Sequence, residues 1–148
     1  MRLLYQSYVD KKNGEAYWEH LGAFLKSRCD SGTEIDIKGI TPHDSYAHPL
    51  VELRCSREMI CNVIRAERDG YDAVLVGHFQ DAGLYEARSV VDIPVIGLGE
   101  ASMLYCCQLA QQIGIVTINP RFIPWFRHQI RKYGLQDRIT GIHSMTFE

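Results

Sequence analysis

Short apolar segments alternate with helical patterns along almost the whole chain, and this alternation constrains the fold more than any other feature. The segments DAVLVG (72–77), PVIGL (94–98) and IGIVT (113–117) are nearly continuously apolar. Strands of this kind are expected where helices cover both faces of a sheet, and right-handed crossovers between them make the sheet parallel. The sequence therefore predicts an α/β fold with a parallel, doubly wound sheet and helices on both faces.

Helical patterns fill the gaps between the apolar segments. Strands are predicted at 3–6, 34–40, 72–77, 93–98, in a segment ending at Asn119, and at 139–143; helices are predicted at 15–28, 51–69, up to about Val90, 101–111 and 121–133. Gly70 and Gly134 follow two of these helices, at the position that helices favour for glycine. Asp81 is predicted to be the N-cap of the helix that ends near Val90, because its carboxylate can accept hydrogen bonds from free backbone N–H groups.

The net charge, the lack of long apolar runs and the cysteine spacing disfavour nucleic-acid-binding, membrane-spanning and secreted proteins. The formal net charge is −2, which gives no support to a nucleic-acid or anionic-membrane partner. No apolar run reaches the roughly 18 residues that a membrane span needs, and the N-terminus lacks the pattern of a secretory signal. The five cysteines show no C-x-x-C spacing and are expected to be reduced thiols in a cytoplasmic protein, with Cys106 and Cys107 in core packing.

The carboxyl ends of the strands are where a parallel α/β sheet binds ligands. Five predicted loops lie there, namely 7–13, 41–50, 78–83, 97–102 and 117–120. His78 is the leading candidate for chemistry in these loops, because an imidazole gives or takes a proton near neutral pH. The alternative is a structural histidine that is hydrogen-bonded to a neighbouring loop.

Other polar side chains in these loops are lesser candidates for holding the carboxylate or carbonyl groups of a small substrate. They are Ser7, Gln80, Asp81, Glu100, Thr117 and Asn119. Structural alternatives stand beside this interpretation: helix capping for Asp81, a helix start for Glu100, a loop hydrogen bond for Gln80, and turn formation for Thr117 and Asn119. The free amides of a helix beginning near Glu100 would favour an anion.

No metal or cofactor is predicted. His43 and His48, with Asp44 between them, suggest a metal site, but no clear third ligand accompanies them, and they are assigned to a polar loop over the site. The sequence lacks G-x-G-x-x-G, G-x-x-x-x-G-K-[ST] and G-x-S-x-G. These absences disfavour dinucleotide, phosphate-loop and serine-hydrolase chemistry.

Three segments resemble the aspartate/glutamate/hydantoin racemase family. They are YDAVLVGHFQDAGLYEAR (71–88), VDIPVIGLGEASM (91–103) and IGIVTINPRFIPWFRHQIRKYGL (113–135). Their order and spacing are similar to the hydantoin- and allantoin-racemase branch, in which a strand ends in Cys-Phe-Gly-Asp-Pro-Gly-Leu. The resemblance implies cofactor-independent proton transfer at a carbon next to a carbonyl or carboxylate. It also implies one cysteine on each side of that carbon and two similar α/β halves around the substrate.

This sequence departs from the family pattern at both cysteine positions. His78 stands where the first cysteine is expected, and the second belongs to a Gly-Cys motif that lies beyond Glu148 in the family. The resemblance therefore implies that residues 1–98 form a first α/β domain and that 99–148 form the start of a second, incomplete one. Apolar helix faces left uncovered by such an arrangement favour a homo-oligomer.

The leading functional hypothesis is racemase or epimerase proton transfer at the α-carbon of a small amino-acid derivative or a hydantoin-like cyclic ureide, with His78 as the proton-transfer residue. Inversion needs an acid and a base on opposite faces of the carbon, and one imidazole supplies only one face. Two alternatives stay open: a lyase or isomerase of the same fold that protonates one face, and a non-catalytic protein that binds small carboxylates or serves assembly. A third, a flavodoxin-like nucleotide binder, is disfavoured by the missing phosphate loops.

Overall fold

The computed structural model describes residues 1–41 and 49–145. Within that part the strands are β1 (Arg2–Gln6), β2 (Glu34–Lys38), β3 (Ala73–Val76), β4 (Val95–Gly97), β5 (Ile113–Thr117) and β6 (Ile139–Ser144). The first four form one parallel sheet in the order β2–β1–β3–β4, and β5 pairs with β6 in a second parallel sheet.

Helices connect the strands throughout. They are α1 (Glu15–Arg28), α2 (Pro49–Arg68), α3 (Leu84–Arg88), α4 (Leu98–Leu109) and α5 (Ile123–Lys132), with short 3₁₀ turns at Lys11–Asn13 and Pro120–Phe122. Among the described residues, no helix is long and apolar enough to cross a bilayer.

The larger sheet has helices on both faces. Val74 and Val76 of β3 are fully buried, and together with Leu4 of β1 they join the core that α2 covers through Met59 and Val63. On the opposite face α1 packs against β2, where the position of a Cβ on Gly22 lies 3.7 Å from the Ile37 side chain. The predicted parallel α/β fold is confirmed.

The helix after β3 differs from its prediction. It is the short α3, and its N-cap is Gly83 in the left-handed conformation, with φ 79°. The prediction that Asp81 caps this helix is wrong. Asp81 itself has a φ of 48°, and its carboxylate reaches the first turn of α4 instead, where it accepts hydrogen bonds from backbone N–H groups.

A second apolar core lies under the smaller sheet. It contains Phe122, Phe126 and Ile130 from the α5 region together with Ile115 of β5, and Trp125 packs against both this core and the first one. The division of the chain between residues 98 and 99 stays a prediction.

Candidate functional site

Tyr8 and His78 meet at the carboxyl edge of the larger sheet. Gln6, the last residue of β1, pairs with Val76, the last residue of β3, so the residues two positions later lie side by side. The phenol and imidazole rings are stacked, with centroids 4.3 Å apart and planes 10° from parallel. The stack holds the plane of the His78 ring at the point where parallel strands present their carboxyl ends.

Glu52, in the first turn of α2, binds the His78 ring at its edge. Both carboxylate oxygens lie 2.9 Å from His78 Nε2, and Oε1 has the geometry of a hydrogen bond. The Glu52 side chain is 3% exposed and the His78 side chain 28%. Oε2 has no hydrogen-bond partner among the described residues. Burying a carboxylate without a hydrogen-bond partner costs free energy. The hydrogen bond from His78 offsets this cost for Glu52.

Tyr8 acts as a neutral hydrogen-bond donor beside this pair. Its hydroxyl donates to the carbonyl of Ala82 at 2.8 Å. Burial raises the pKa of Tyr8 well above its ordinary value, and the negative charge of Glu52 raises it further. The phenol therefore links the end of β1 to the 78–83 loop without adding charge to the site.

Buried amides fix the strand end beneath Tyr8. Asn62 Nδ2 of α2 donates to Gln6 Oε1 at 2.9 Å, and Gln6 Nε2 donates to the carbonyls of Ser7 and Lys38. Ser7 is fully buried, and its hydroxyl accepts a hydrogen bond from the Val9 N–H. The structure thus places Ser7 inside the turn after β1.

The carboxylate of Asp81 lies at the centre of a hydrogen-bond network. It accepts from the N–H groups of Gly99 and Glu100, at 3.0 and 2.6 Å, from Gln129 Nε2 at 3.1 Å and from the Tyr133 hydroxyl at 2.7 Å. Burial raises the pKa of Asp81, while these hydrogen bonds act in the opposite direction. Burial together with Asp81 raises the pKa of Tyr133. The arrangement connects the 78–83 loop to α4 and α5.

Gln80 and Glu100 differ in how their side chains are used. The backbone carbonyl of Gln80 accepts a hydrogen bond from Trp125 Nε1 at 2.9 Å, and no hydrogen bond within the described ranges engages its side-chain amide. Glu100 forms an ion pair with Arg88, so its carboxylate is paired with α3. Of these two side chains, the Gln80 amide is the one available to a ligand.

Thr117 and Asn119 end β5, in the smaller sheet. The Thr117 hydroxyl donates to the Asn119 carbonyl at 3.3 Å, and Asn119 Oδ1 accepts from the Arg121 N–H at 3.0 Å. The predicted candidates therefore divide between two sheets: Thr117 and Asn119 belong to the smaller one, and Ser7, His78, Gln80, Asp81 and Glu100 follow strands of the larger one. His43, Asp44 and His48 lie outside the described residues. Within residues 1–41 and 49–145, no group of three potential ligands is placed to hold a metal ion.

Tyr8 and Glu52 were absent from the sequence-based candidates. Tyr8 could have been found from its place directly after a strand, beside the chosen Ser7. Glu52 carried no such signal, because an acid in the first turn of a helix is common for reasons of the helix dipole alone. Twenty-six residues separate it from His78, and only packing brings them together.

A cavity of about 350 Å³ lies between residues 80–83, α3 and α5. Its lining includes Gln80, Glu86, Trp125, His128 and Lys132. His78 is not among its lining residues, but Gln80 belongs both to this lining and to the 78–83 loop that carries His78.

Comparison with known proteins gives a consistent result. The sequence profile described as Asp/Glu/Hydantoin racemase matches residues 41–147. The hydantoin racemase of Pseudomonas sp. (strain NS671) is 33% identical over 86 residues, which are 58% of this chain and 34% of that protein. The hydantoin racemase of Paenarthrobacter aurescens is 33% identical over 85 residues, 57% of this chain and 36% of that protein. The matches span about a third of the length of these relatives.

Solved structures agree over nearly the whole chain. The allantoin racemase of Klebsiella pneumoniae superposes with a TM-score of 0.85 and 25% identity, covering 97% of this chain and 58% of its own. The glutamate racemase of Aquifex pyrophilus gives a TM-score of 0.65 at 13% identity, covering 99% of this chain and 56% of its own. The second likeness shows the fold alone.

Proposed function

The chain belongs to the Asp/Glu/hydantoin racemase family, and from that premise we propose that it carries out racemase-type proton transfer at the α-carbon of a small amino-acid derivative or a cyclic ureide. His78 is the proton-transfer residue in this proposal. The observation that carries it is the position of the imidazole: it follows β3 at the carboxyl edge of the sheet, is partly exposed, and is held by Glu52 and Tyr8.

The proposed chemistry needs only the imidazole and a carbonyl-activated substrate. His78 takes the α-proton, and the electron pair of the broken C–H bond moves onto the adjacent carbonyl to give an enolate. Return of the proton to the same face exchanges hydrogen without inversion, whereas inversion needs a second acid on the opposite face. The resemblance to the family implies such a second group, and His78 supplies one of the two.

The relatives guide the proposed substrate class. Hydantoin racemases and an allantoin racemase stand among the similar proteins, and both names describe cyclic ureides. We therefore place a cyclic ureide ahead of a free amino acid. The free side-chain amide of Gln80 is the residue proposed to contact its carbonyl or N–H groups, because an amide both donates and accepts.

The other predicted contacts take different parts in this proposal. Ser7 and Asp81 position the strand end and the loop, since their side chains are buried in hydrogen bonds to the protein. Glu100, Thr117 and Asn119 stay predicted substrate contacts.

Cytoplasmic location and self-association are further parts of the proposal. All five cysteines are free thiols, which favours a reducing compartment. Apolar side chains of β5 and α4 are exposed, among them Val116 at 67% and Leu109 at 71%. Covering them in a homo-oligomer would remove apolar surface from water.

Hydrogen exchange in heavy water tests the activity directly. The protein is incubated in D₂O with single enantiomers of hydantoins, allantoin, aspartate and glutamate. Proton NMR then follows loss of the α-proton, and chiral chromatography follows inversion. Exchange above the buffer rate is expected, and His78→Gln should lower it by roughly 10²- to 10⁴-fold. His20→Gln, on the exposed surface of α1, is the matched control.

The outcomes separate the competing functions. Exchange with inversion supports a racemase. Exchange without inversion supports the one-sided lyase or isomerase chemistry. Absence of exchange with every substrate, in a protein that still binds cyclic ureides, would falsify the enzymatic proposal and favour the non-catalytic alternative.

A further inference from the structure

We propose that Glu52 is a positioning residue that selects which nitrogen of His78 works: it holds the proton on Nε2 and leaves Nδ1 as the atom that exchanges a proton with the substrate. The catalytic part of this inference rests on the proposed function. The structural part, the tautomer of His78, stands independently of any activity.

The first step of the argument is the contact itself. A carboxylate has only acceptor sites, and a neutral imidazole carries one N–H. Glu52 is almost completely buried, and both of its oxygens lie 2.9 Å from Nε2. If Nε2 lacked its proton, two lone pairs would face each other in a buried setting. The Nε2–H tautomer is therefore favoured, and the Nδ1 lone pair is left free.

The second step is the orientation of the ring. Rotating the imidazole by half a turn about its Cβ–Cγ bond would place a carbon where Nε2 now meets Glu52, and the buried carboxylate would lose its hydrogen bond. Tyr8 covers one ring face at 4.3 Å with nearly parallel planes, and its own hydroxyl is fixed on the Ala82 carbonyl. The stack holds the plane of the ring, and the hydrogen bond to Glu52 selects between the two orientations that this plane allows.

The third step concerns Nδ1. No described residue forms a hydrogen bond to this nitrogen, and the His78 side chain keeps 28% of its surface exposed. When Nδ1 takes the α-proton, the C–H bond breaks and the ring becomes an imidazolium with protons on both nitrogens. The positive charge then lies against the Glu52 carboxylate, and giving the proton back reverses these changes. A buried carboxylate behind a catalytic histidine stabilises the charged form in this way.

Nitrogen NMR of the wild-type protein is the decisive measurement. With ¹⁵N-labelled histidine at about pH 8, where an ordinary imidazole is neutral, the His78 ring should show a pyrrole-type Nε2 and a pyridine-type Nδ1. His78→Gln identifies the signals by their loss. A pyrrole-type Nδ1 with a pyridine-type Nε2 in the wild type would overturn the proposal, and this measurement needs no variant of Glu52.

Variants of Glu52 test whether the contact causes the tautomer. Glu52→Gln keeps the shape and removes the obligatory acceptor, so the two His78 tautomers should mix, and kcat should fall at least about tenfold with little change in KM. Glu52→Asp should recover part of both effects. Glu67→Gln is the control: Glu67 is on the same helix and accepts hydrogen bonds from Asp92 and Ile93, and its replacement should leave the His78 signals unchanged.

The result distinguishes this inference from the proposed function. Selection of Nε2–H in a protein that catalyses no exchange would sustain the positioning role and remove the enzymatic one. An unchanged tautomer in Glu52→Gln would overturn the role of Glu52, even where exchange is observed and depends on His78.

Discussion

The carboxylate of Asp81 accepts a hydrogen bond from the backbone N–H of Gly99 at 3.0 Å, across 18 residues of sequence. This contact ties the loop that carries His78 to the first turn of α4, and the Glu100 N–H adds a second bond of the same kind. The first turn of a helix has N–H groups without partners inside the helix. Asp81 therefore accepts hydrogen bonds from free N–H groups of a helix that starts far from it in sequence. The same bonds hold the 78–83 loop in place.

Removal of the Asp81 carboxylate should destabilise the protein. Asp81→Ala leaves the buried N–H of Gly99 and the Tyr133 hydroxyl without their acceptor, and we expect a loss of about 3 kcal/mol in the free energy of unfolding. Urea denaturation measures it. Asp137→Ala changes an exposed aspartate and should stay within about 0.5 kcal/mol of the wild type. Equal stabilities for the two variants would contradict a structural role for Asp81.

Gly99 cannot accept a side chain at this junction. A Cβ there would overlap the carbonyl oxygen of Phe79 and lie 2.6 Å from Gln129 Nε2. Alanine favours helix by about 1 kcal/mol over glycine, but the overlap outweighs this gain, and Gly99→Ala should lose at least about 2 kcal/mol. Gly114→Ala is the control, because nothing lies within 4 Å of a Cβ there. Thermal denaturation of both variants decides the matter, and an unchanged or higher melting temperature for Gly99→Ala is the contrary outcome.

Buried tyrosines should make the protein sensitive to alkali. Burial is the main cause that raises the pKa of Tyr8 and Tyr133, and burial together with the nearby Tyr17 raises the pKa of Tyr5 to about 12. In the unfolded chain tyrosines lose their protons near pH 10, before the folded protein does. Their stabilising contribution is therefore complete below about pH 10 and is lost as the pH rises through the folded-state pKa values.

The contribution of Tyr8 can be measured from how steeply the free energy of unfolding falls with rising pH. Tyr8→Phe lowers the stability at neutral pH through the lost bond to Ala82, yet it should make the decline of unfolding free energy above about pH 10 less steep. Urea denaturation at a series of pH values measures the slope. Tyr105→Phe, at a ring that is 60% exposed, should keep the wild-type slope. A Tyr8→Phe slope as steep as that of the wild type argues against a buried neutral phenol.

The side chain of Gln80 is expected to contribute to substrate binding. Gln80→Ala should raise KM several-fold with a smaller effect on kcat, since a contact made equally to substrate and transition state affects binding alone. Steady-state kinetics with the preferred ureide tests this. Gln108→Ala, on the exposed surface of α4, should match the wild type. A Gln80→Ala enzyme with unchanged KM would remove this residue from the proposed site.

Local sequence patterns were sufficient to predict the α/β architecture and the position of His78 after a strand. Continuous apolar runs such as 73–76 are found where a strand is covered on both faces, and the structure has that strand between two helical layers. The end of such a run is visible in the amino-acid sequence, so the sequence alone predicts that His78 lies at the carboxyl edge of the sheet. The racemase resemblance read from 71–135 is confirmed by the family match over 41–147.

Contacts between residues that are far apart in the sequence could not be predicted from these local patterns. Capping rules assign an aspartate to the helix that follows it, whereas Asp81, with a φ of 48°, bonds to the next helix along the chain. The pairing of Glu52 with His78 depends on how α2 lies over the end of β3, and no periodicity encodes that. The succession of strands and helices follows from the local sequence, because burial and turn preferences act over a few residues. Which polar groups are buried together depends on the three-dimensional fold, because whole helices and strands must pack against one another to bring such groups into contact.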